Sequence, residues 1–352
     1  MQDLSFYKGK NVFVTGHTGF KGVWLCKILI LAGARVSGYA LEPSTQPNLF
    51  DLSGISQKMN SIIGDVRDLP HLMEAFSEAK PEIVFNLAAQ PIVRESYKDP
   101  VYTYETNVMG TVNILECVRQ NSSVKSFVNV TTDKVYENKE IERSYCEDDR
   151  LCGFDPYSNS KSCSELVTFS YKNSFFADRP VAISTSRAGN VIGGGDFSPD
   201  RIIPDCVRAV RKSEPIIVRN PNSIRPYQHV LEAIFAYLTI AQKQYEDISL
   251  ADCYNVGPDE YDCVKTGELV NLFCTKWGNA KWINKSKDDA MHEANFLRLD
   301  NSKIKATLNW KPKWNLEQAL EKTVEFYKID EKSKNINLLM KKQIEDYLSR
   351  SI

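Results

Sequence analysis

A short apolar run, Asn11-Val12-Phe13-Val14-Thr15, ends in Gly16-His17-Thr18-Gly19-Phe20-Lys21-Gly22, and a helical pattern follows from Val23 to Gly33. No other segment restricts the fold as strongly. A strand that turns straight into a helix needs backbone angles that glycine reaches without a steric penalty. Further glycines let the backbone approach a ligand and let the helix lie close on the strand. The start of the helix presents free N–H groups and a partial positive charge to an anion. Gly16, Thr18, Gly19, Phe20 and Gly22 are therefore read as a cradle for the pyrophosphate of a dinucleotide.

The rest of the first half repeats the strand-then-helix alternation. Arg35 to Leu41, Ser61 to Ile63, Glu82 to Ala88, Ser126 to Thr131 and Val181 to Ser186 read as strands. Helices are expected over Leu69 to Ala79 and from about Tyr102 to Gln120. Strands apolar on both faces and separated by helices imply a parallel sheet covered on both sides. The fold class is α/β, a Rossmann-type doubly wound parallel sheet with a smaller, mixed α/β C-terminal substrate domain. Residues 1–186 are assigned to the dinucleotide-binding domain and 187–352 mainly to the second, the chain returning to the first around 227–257. An amphipathic helix is expected over Asn315 to Tyr327.

An acid usually ends the second strand of such a fold, where it holds the adenosine ribose. Here Glu42 stands slightly late and no arginine follows at once, so NAD and NADP both stay open. Asp65 and Val66, after the third strand, are placed to meet the adenine edge.

Composition narrows the function classes. The 352 residues exceed one small module, and 44 Lys+Arg against 45 Asp+Glu leave a net charge of −1. A general nucleic-acid binder carries a clear basic excess. No apolar stretch of membrane-spanning length and no signal peptide is visible, and the nine cysteines include no Cys-x-x-Cys spacing. The expectation is a cytoplasmic protein with reduced thiols, no membrane partner and no metal site.

Tyr157-Ser158-Asn159-Ser160-Lys161 places a phenol and an ammonium at i and i+4, on one helical face. A free phenol, with a pKa near ~10, is a poor base at neutral pH. A neighbouring cation lowers it and lets it take a proton from a sugar hydroxyl as hydride leaves the carbon. Upstream, a strand runs into Val130-Thr131-Thr132, where a hydroxyl can share that proton.

With these segments in order, the chain resembles the extended short-chain dehydrogenase/reductases, and within them the nucleotide-sugar 4,6-dehydratases. The resemblance covers nearly the whole length. It rests on the glycine loop, Asn86-Leu87-Ala88-Ala89-Gln90-Pro91, Thr106-Asn107-Val108-Met109-Gly110-Thr111 and Thr132-Asp133-Lys134-Val135-Tyr136. It rests too on Arg187-Ala188-Gly189-Asn190-Val191-Ile192-Gly193-Gly194-Gly195-Asp196 and Ile224-Arg225-Pro226-Tyr227-Gln228-His229. The match is strongest to members acting on CDP-glucose, which carry Lys at the position of Lys134 where dTDP-glucose relatives carry Glu.

The resemblance implies bound NAD, CDP-glucose as substrate and a hydro-lyase reaction in deoxysugar biosynthesis, such as that feeding lipopolysaccharide O-antigen. Tyr157 would take the 4-OH proton as hydride passes to NAD, with Thr132 on the oxygen and Lys161 beside the phenol. Lys134 would remove the C5 proton, Asp133 would protonate the departing 6-hydroxyl, and hydride would return to C6. Leu87, Ala88, Ala89 and Asn107 join the cofactor set, Asn107 also as a support of the site geometry. Asn190, Arg201, Arg225 and Asn255 are implied for the diphosphate, Ser96 and Asn190 for the sugar, and His292 for the nucleotide. A homodimer is implied through Tyr102 to Gln120 and Tyr157 to Asn173. The rival readings are a dTDP- or GDP-hexose dehydratase, a nucleotide-sugar 4-epimerase and, more distantly, a non-catalytic NAD-binding regulator.

Overall fold

The computed structural model describes residues 4–285, 296–329 and 335–350. Seven strands form one sheet: β1 Asn11–Thr15, β2 Arg35–Ala40, β3 Asn60–Ile63, β4 Ile83–Asn86, β5 Ser126–Val130, β6 Ala182–Ala188 and β7 Cys253–Val256. Their order is β7-β6-β5-β4-β1-β2-β3, and every neighbouring pair is parallel. The order reverses between β1 and β4, the crevice where such sheets bind ligands.

Helices cover both faces. The first, α1 (Phe20–Leu31), and a later one, α5 (Val230–Glu246), pack against each other, and α5 also lies on β5 and β6. Between them in sequence come α2 (Leu69–Ala79), α3 (Gly110–Gln120) and α4 (Pro156–Phe175). Leu231, Ala233, Ile234, Phe235 and Leu238 of α5 are fully buried, so this helix is core on nearly every side. Beyond β6 the chain forms short strand pairs: Val191–Ile192 with Gln228–His229, Ile216–Val218 with Trp282–Asn284, and Ile224–Arg225 with Val264–Lys265.

Several expected boundaries move, each for a local reason. The fourth strand, expected to reach Ala88, stops at Asn86, because the Leu87 and Ala88 N–H groups donate to the Thr15 hydroxyl at 3.1 Å each. The long helix expected from Tyr102 is broken into Pro100–Tyr104, a π-turn over Glu105–Met109, and α3. Such turns re-aim side chains and cluster at functional sites. The amphipathic helix expected over Asn315 to Tyr327 runs Leu316–Lys328, with Asn315 accepting from the Gln318 N–H at its start, and a last helix, Ile336–Ser349, follows it.

Among the described residues no helix is long and apolar enough to cross a membrane. All nine cysteines are free thiols, with Cys26, Cys117 and Cys206 buried.

Candidate active site

The carboxyl ends of β1, β4 and β5 open on a cleft of about 860 Å³. A buried polar chain aligns its floor. Thr15 donates to Asn86 Oδ1 at 2.6 Å, Asn86 donates to Asn129 Oδ1 at 3.0 Å, and Asn129 donates to Ser164 on α4 at 3.0 Å. Each group is out of water and partnered, so the glycine strand and the helix carrying Tyr157 keep a fixed relation.

The glycine loop lies at one end. Gly16 has φ +74°, and a Cβ there would sit 2.9 Å from the Ala88 nitrogen. A Cβ on Gly22 would meet the Gly16 carbonyl oxygen at 2.1 Å, so only hydrogen allows α1 this close to the turn. The loop backbone, Thr18, Phe20, Asp65, Val66, Leu87, Ala88 and Ala89 all line the cleft. The shape fits a dinucleotide: a bare backbone lining the cavity at a helix start, where the first N–H groups have no intrahelical partner. Thr18 donates its hydroxyl to the Leu41 carbonyl at 2.8 Å, which pins the rim that carries Glu42. Asp65 is held by Arg67, whose hydrogen bonds keep its carboxyl below the usual range.

Tyr157 and Lys161 project into the middle of the cleft from the first turns of α4. Asp155 starts that helix by accepting from the Ser158 N–H at 2.9 Å. Burial pushes the Tyr157 phenol up to about 12, against the pull of Thr132 and Arg201. Lys161 donates to the Val130 carbonyl at 3.0 Å, and burial lowers it to about 8. Thr132, Asp133 and Lys134 face the same space. Thr132 donates to Asp133 Oδ1 at 2.9 Å, while Asp133 Oδ2 has no protein partner. Burial raises the Asp133 carboxyl, against the opposing pull of Lys134 and Thr132.

The far end is cationic. Asn190, Arg201 and Arg225 line it as expected, and Arg94 and Arg219 join them. Arg94 and Arg219 both reach Asp200, at 3.3 and 3.2 Å, and Arg201 lies 3.6 Å from Asp196.

Three expected contacts take other positions. Ser96 is fully buried behind the cleft; its hydroxyl donates to Val93 O and accepts the Tyr157 N–H at 3.1 Å, so it sets the start of the helix that carries Tyr157 rather than facing the cleft. Asn255 is also fully buried, accepting from the Tyr136 hydroxyl at 2.6 Å and donating to Tyr145 O at 2.8 Å. Neither lines the cleft. Asn107 stands outside the lining as well, and clamps both backbone groups of Gln90 to Ser160 of α4. His292 lies outside the described residues.

The sequence reading gave no role to Lys21, Arg94, Thr106 or Arg219, which all line the cleft. Thr106 is delivered by the π-turn, and its hydroxyl is buried without a protein partner. Lys21 carried a usable signal, a cation in the first turn of a helix, where the dipole disfavours it. Arg94 and Arg219 carried none, since only the fold brings them together.

A doubly wound sheet with a glycine cradle beside a Tyr–Lys pair defines the class: an extended short-chain dehydrogenase/reductase fold with an added acid and amine at the site. The chain matches the GDP-mannose 4,6 dehydratase family over residues 13–323, and it belongs to that family. It is 45% identical to a CDP-glucose 4,6-dehydratase of Salmonella typhimurium over 99% of both chains. It is 25% identical to a dTDP-glucose 4,6-dehydratase of Xanthomonas campestris, over 89% of this chain and 92% of that one. Among solved structures, the Thermus thermophilus UDP-glucose 4-epimerase complex with NAD superposes with a TM-score of 0.79 at 24% identity, covering 90% of this chain and 98% of that one. The Bacillus anthracis dTDP-glucose 4,6-dehydratase in complex with NAD gives 0.74 at 22%, covering 91% and 96%.

Proposed function

We propose that this chain is an NAD-dependent CDP-glucose 4,6-dehydratase that converts CDP-D-glucose to CDP-4-dehydro-6-deoxy-D-glucose and water. The observation that carries the reading is the convergence of Thr132, Asp133, Lys134, Tyr157 and Lys161 on one cleft beside a glycine cradle. The full-length relative acting on CDP-glucose supports the choice of nucleotide.

The cradle and the Leu87–Ala89 loop hold the cofactor, which supplies a hydride acceptor that gives its hydride back within the turnover. The protein moves the protons. Tyr157 takes the 4-hydroxyl proton, its phenolate favoured by Thr132 at the same oxygen and by Arg201, with Lys161 one turn further along the same helix. The 4-ketone then acidifies C5–H. Lys134 removes that proton, Asp133, whose carboxyl burial raises, protonates the departing 6-hydroxyl, and C5 is reprotonated as C6 receives its hydride. A simple oxidation or epimerisation needs no such acid and base. Asn190, Arg201 and Arg225, with Arg94 and Arg219 beside them, bind the diphosphate through charge-assisted hydrogen bonds.

Residues 1–186, with the return over 227–257, form the cofactor half and the remainder of 187–352 the substrate half. The seventh strand and α5, both from the returning segment, support that division. The chain acts as a cytoplasmic homodimer. Met109, Leu166 and Phe169 are 49%, 54% and 68% exposed on the two elements expected to pair, and an apolar face of this kind fits a second copy. A monomeric mass in sedimentation would contradict the dimer. The product suits deoxysugar supply to surface polysaccharides such as O-antigen.

The test is incubation of CDP-, dTDP-, GDP- and UDP-glucose with enzyme and NAD+, with Tyr157→Phe as control. CDP-glucose alone should lose one water efficiently and give a 4-keto absorbance, and Tyr157→Phe should be silent. Product of unchanged mass would make the protein an epimerase. Preference for another nucleotide would reassign the substrate.

A further inference from the structure

Glu165 follows Lys161 on α4 at the spacing by which Lys161 follows Tyr157, so the three side chains share one helical face. They meet three consecutive residues at the end of β5. Thr132 pulls on the Tyr157 phenol, Lys161 donates to the Val130 carbonyl at 3.0 Å, and the Thr131 hydroxyl donates to Glu165 Oε1. Glu165 is buried and stands outside the lining of the cleft. Its Oε2 accepts from the Thr185 hydroxyl at 2.7 Å and from Arg187 at 3.0 Å, both on β6. Arg187 in turn donates to the Tyr136 hydroxyl at 3.0 Å and to the Glu147 carbonyl at 2.9 Å.

Burying two charges removes their hydration, and a packed apolar pair often serves stability as well. The position of the Glu165–Arg187 pair therefore matters more than its strength. Burial lowers the Lys161 ammonium to about 8, and Glu165 pulls it back up. Other groups nearby do not supply that pull. Lys21 of α1 and Lys161 repel each other, Arg187 is a cation, and the Tyr157 phenol is pushed up to about 12 by burial. Asp133 and Lys134, past the end of β5, act on each other. An ammonium beside a phenol favours its ionised form, and a neutral amine does not.

We propose that Glu165 is a positioning residue for the Tyr157–Lys161 pair, whose carboxylate fixes the end of β5 on which both side chains lean and keeps an anion one helical turn from the Lys161 ammonium. The proposal rests on the reading that Tyr157 takes a proton from the sugar. Glu165 touches no reacting atom; it acts through Lys161 and through Thr131, which lies between the partners of the two side chains.

Side-chain NMR of isotope-labelled lysines, run without cofactor or substrate and with Lys161 assigned through Lys161→Met, reads this directly. In wild type Lys161 should titrate near about 8. In Glu165→Gln it should titrate about one pH unit lower, the scale of one lost charge in a partly screened interior. The alkaline limb of kcat for CDP-glucose should move down with it, with KM unchanged. Glu165→Asp keeps the anion and should hold the titration near the wild-type value. If Glu165→Gln does not fold, the double variant Glu165→Gln, Arg187→Gln removes the pair whole, a milder change than stranding one charge, and should show the same downward move. An unmoved Lys161 titration in either folded variant overturns the proposal and leaves the pair a structural one, whatever stability is lost. A raised KM with an unmoved limb overturns it as well. Wild type that turns over no nucleotide-glucose would sink the reading on which the proposal rests, a result the cofactor-free titration keeps distinct.

Discussion

The two ends of the cleft are built on opposite principles. The cradle end is backbone: one contiguous turn, Gly16 to Gly22, whose shape depends on the absence of side chains. The far end is side chain: Arg94, Arg201, Arg219 and Arg225 arrive from separate segments, and three of them are steadied by Asp196 or Asp200. A backbone cradle needs no rotamer to be fixed and fails when a Cβ is added. A ring of guanidiniums tolerates backbone change but depends on each charge and on the groups that aim it. Tyr157, Lys161 and Asp133 line the same cleft, and under the proposed reading fixed donors on both sides would hold the reacting carbons beside them.

This contrast can be broken one end at a time. Arg225→Ala should raise the KM for CDP-glucose by about tenfold to a hundredfold, the loss of one charge-assisted hydrogen bond, with NAD+ affinity unchanged. Gly22→Ala should act at the other end. Its Cβ would press on the Gly16 carbonyl at 2.1 Å, so calorimetry should show NAD+ binding weakened by about tenfold and thermal unfolding a loss of about 1–3 kcal/mol. Equal effects of both variants on both ligands would erase the distinction. Asn255→Ala sharpens it with the smallest effect on binding. That change leaves the Tyr136 O–H without its acceptor and takes one of two donors from the Tyr145 carbonyl, which keeps the Asp300 N–H, so it should cost about 1–3 kcal/mol of stability and leave KM alone. A raised KM with intact stability would return Asn255 to the substrate site.

The same contrast explains what could be read in the sequence. The cradle was legible because its chemistry lies in one short run, with strand before it and helix after it. The Tyr157–Lys161 pair was legible because helical spacing alone puts both on one face. The fold class followed from the alternation of buried strands and helices, and even the Leu69–Ala79 helix fell where its pattern put it. The substrate end was legible only through resemblance. Asn190, Arg201 and Arg225 do reach the cleft, but Ser96 and Asn255 are one layer behind it, because they sit on a six-residue helix and a four-residue edge strand, too short for a sequence pattern to say which side faces a ligand. The π-turn at Glu105–Met109 was invisible for a related reason. Its residues suit an α-helix, and the bonds that Asn107 makes from this turn to Gln90 and Ser160 join residues far apart in the sequence.

The central claim is that one cleft oxidises the sugar at C4, removes water across C5 and C6, and returns the same hydride. It is tested most directly with CDP-glucose carrying deuterium at C4, turned over with NAD+ in ordinary water and read by NMR of the product. The account predicts deuterium at C6, a C5 hydrogen drawn from solvent, and no crossover between labelled and unlabelled substrate molecules. Deuterium lost to solvent or to free NADH, or a C6 hydrogen taken from water, would contradict it.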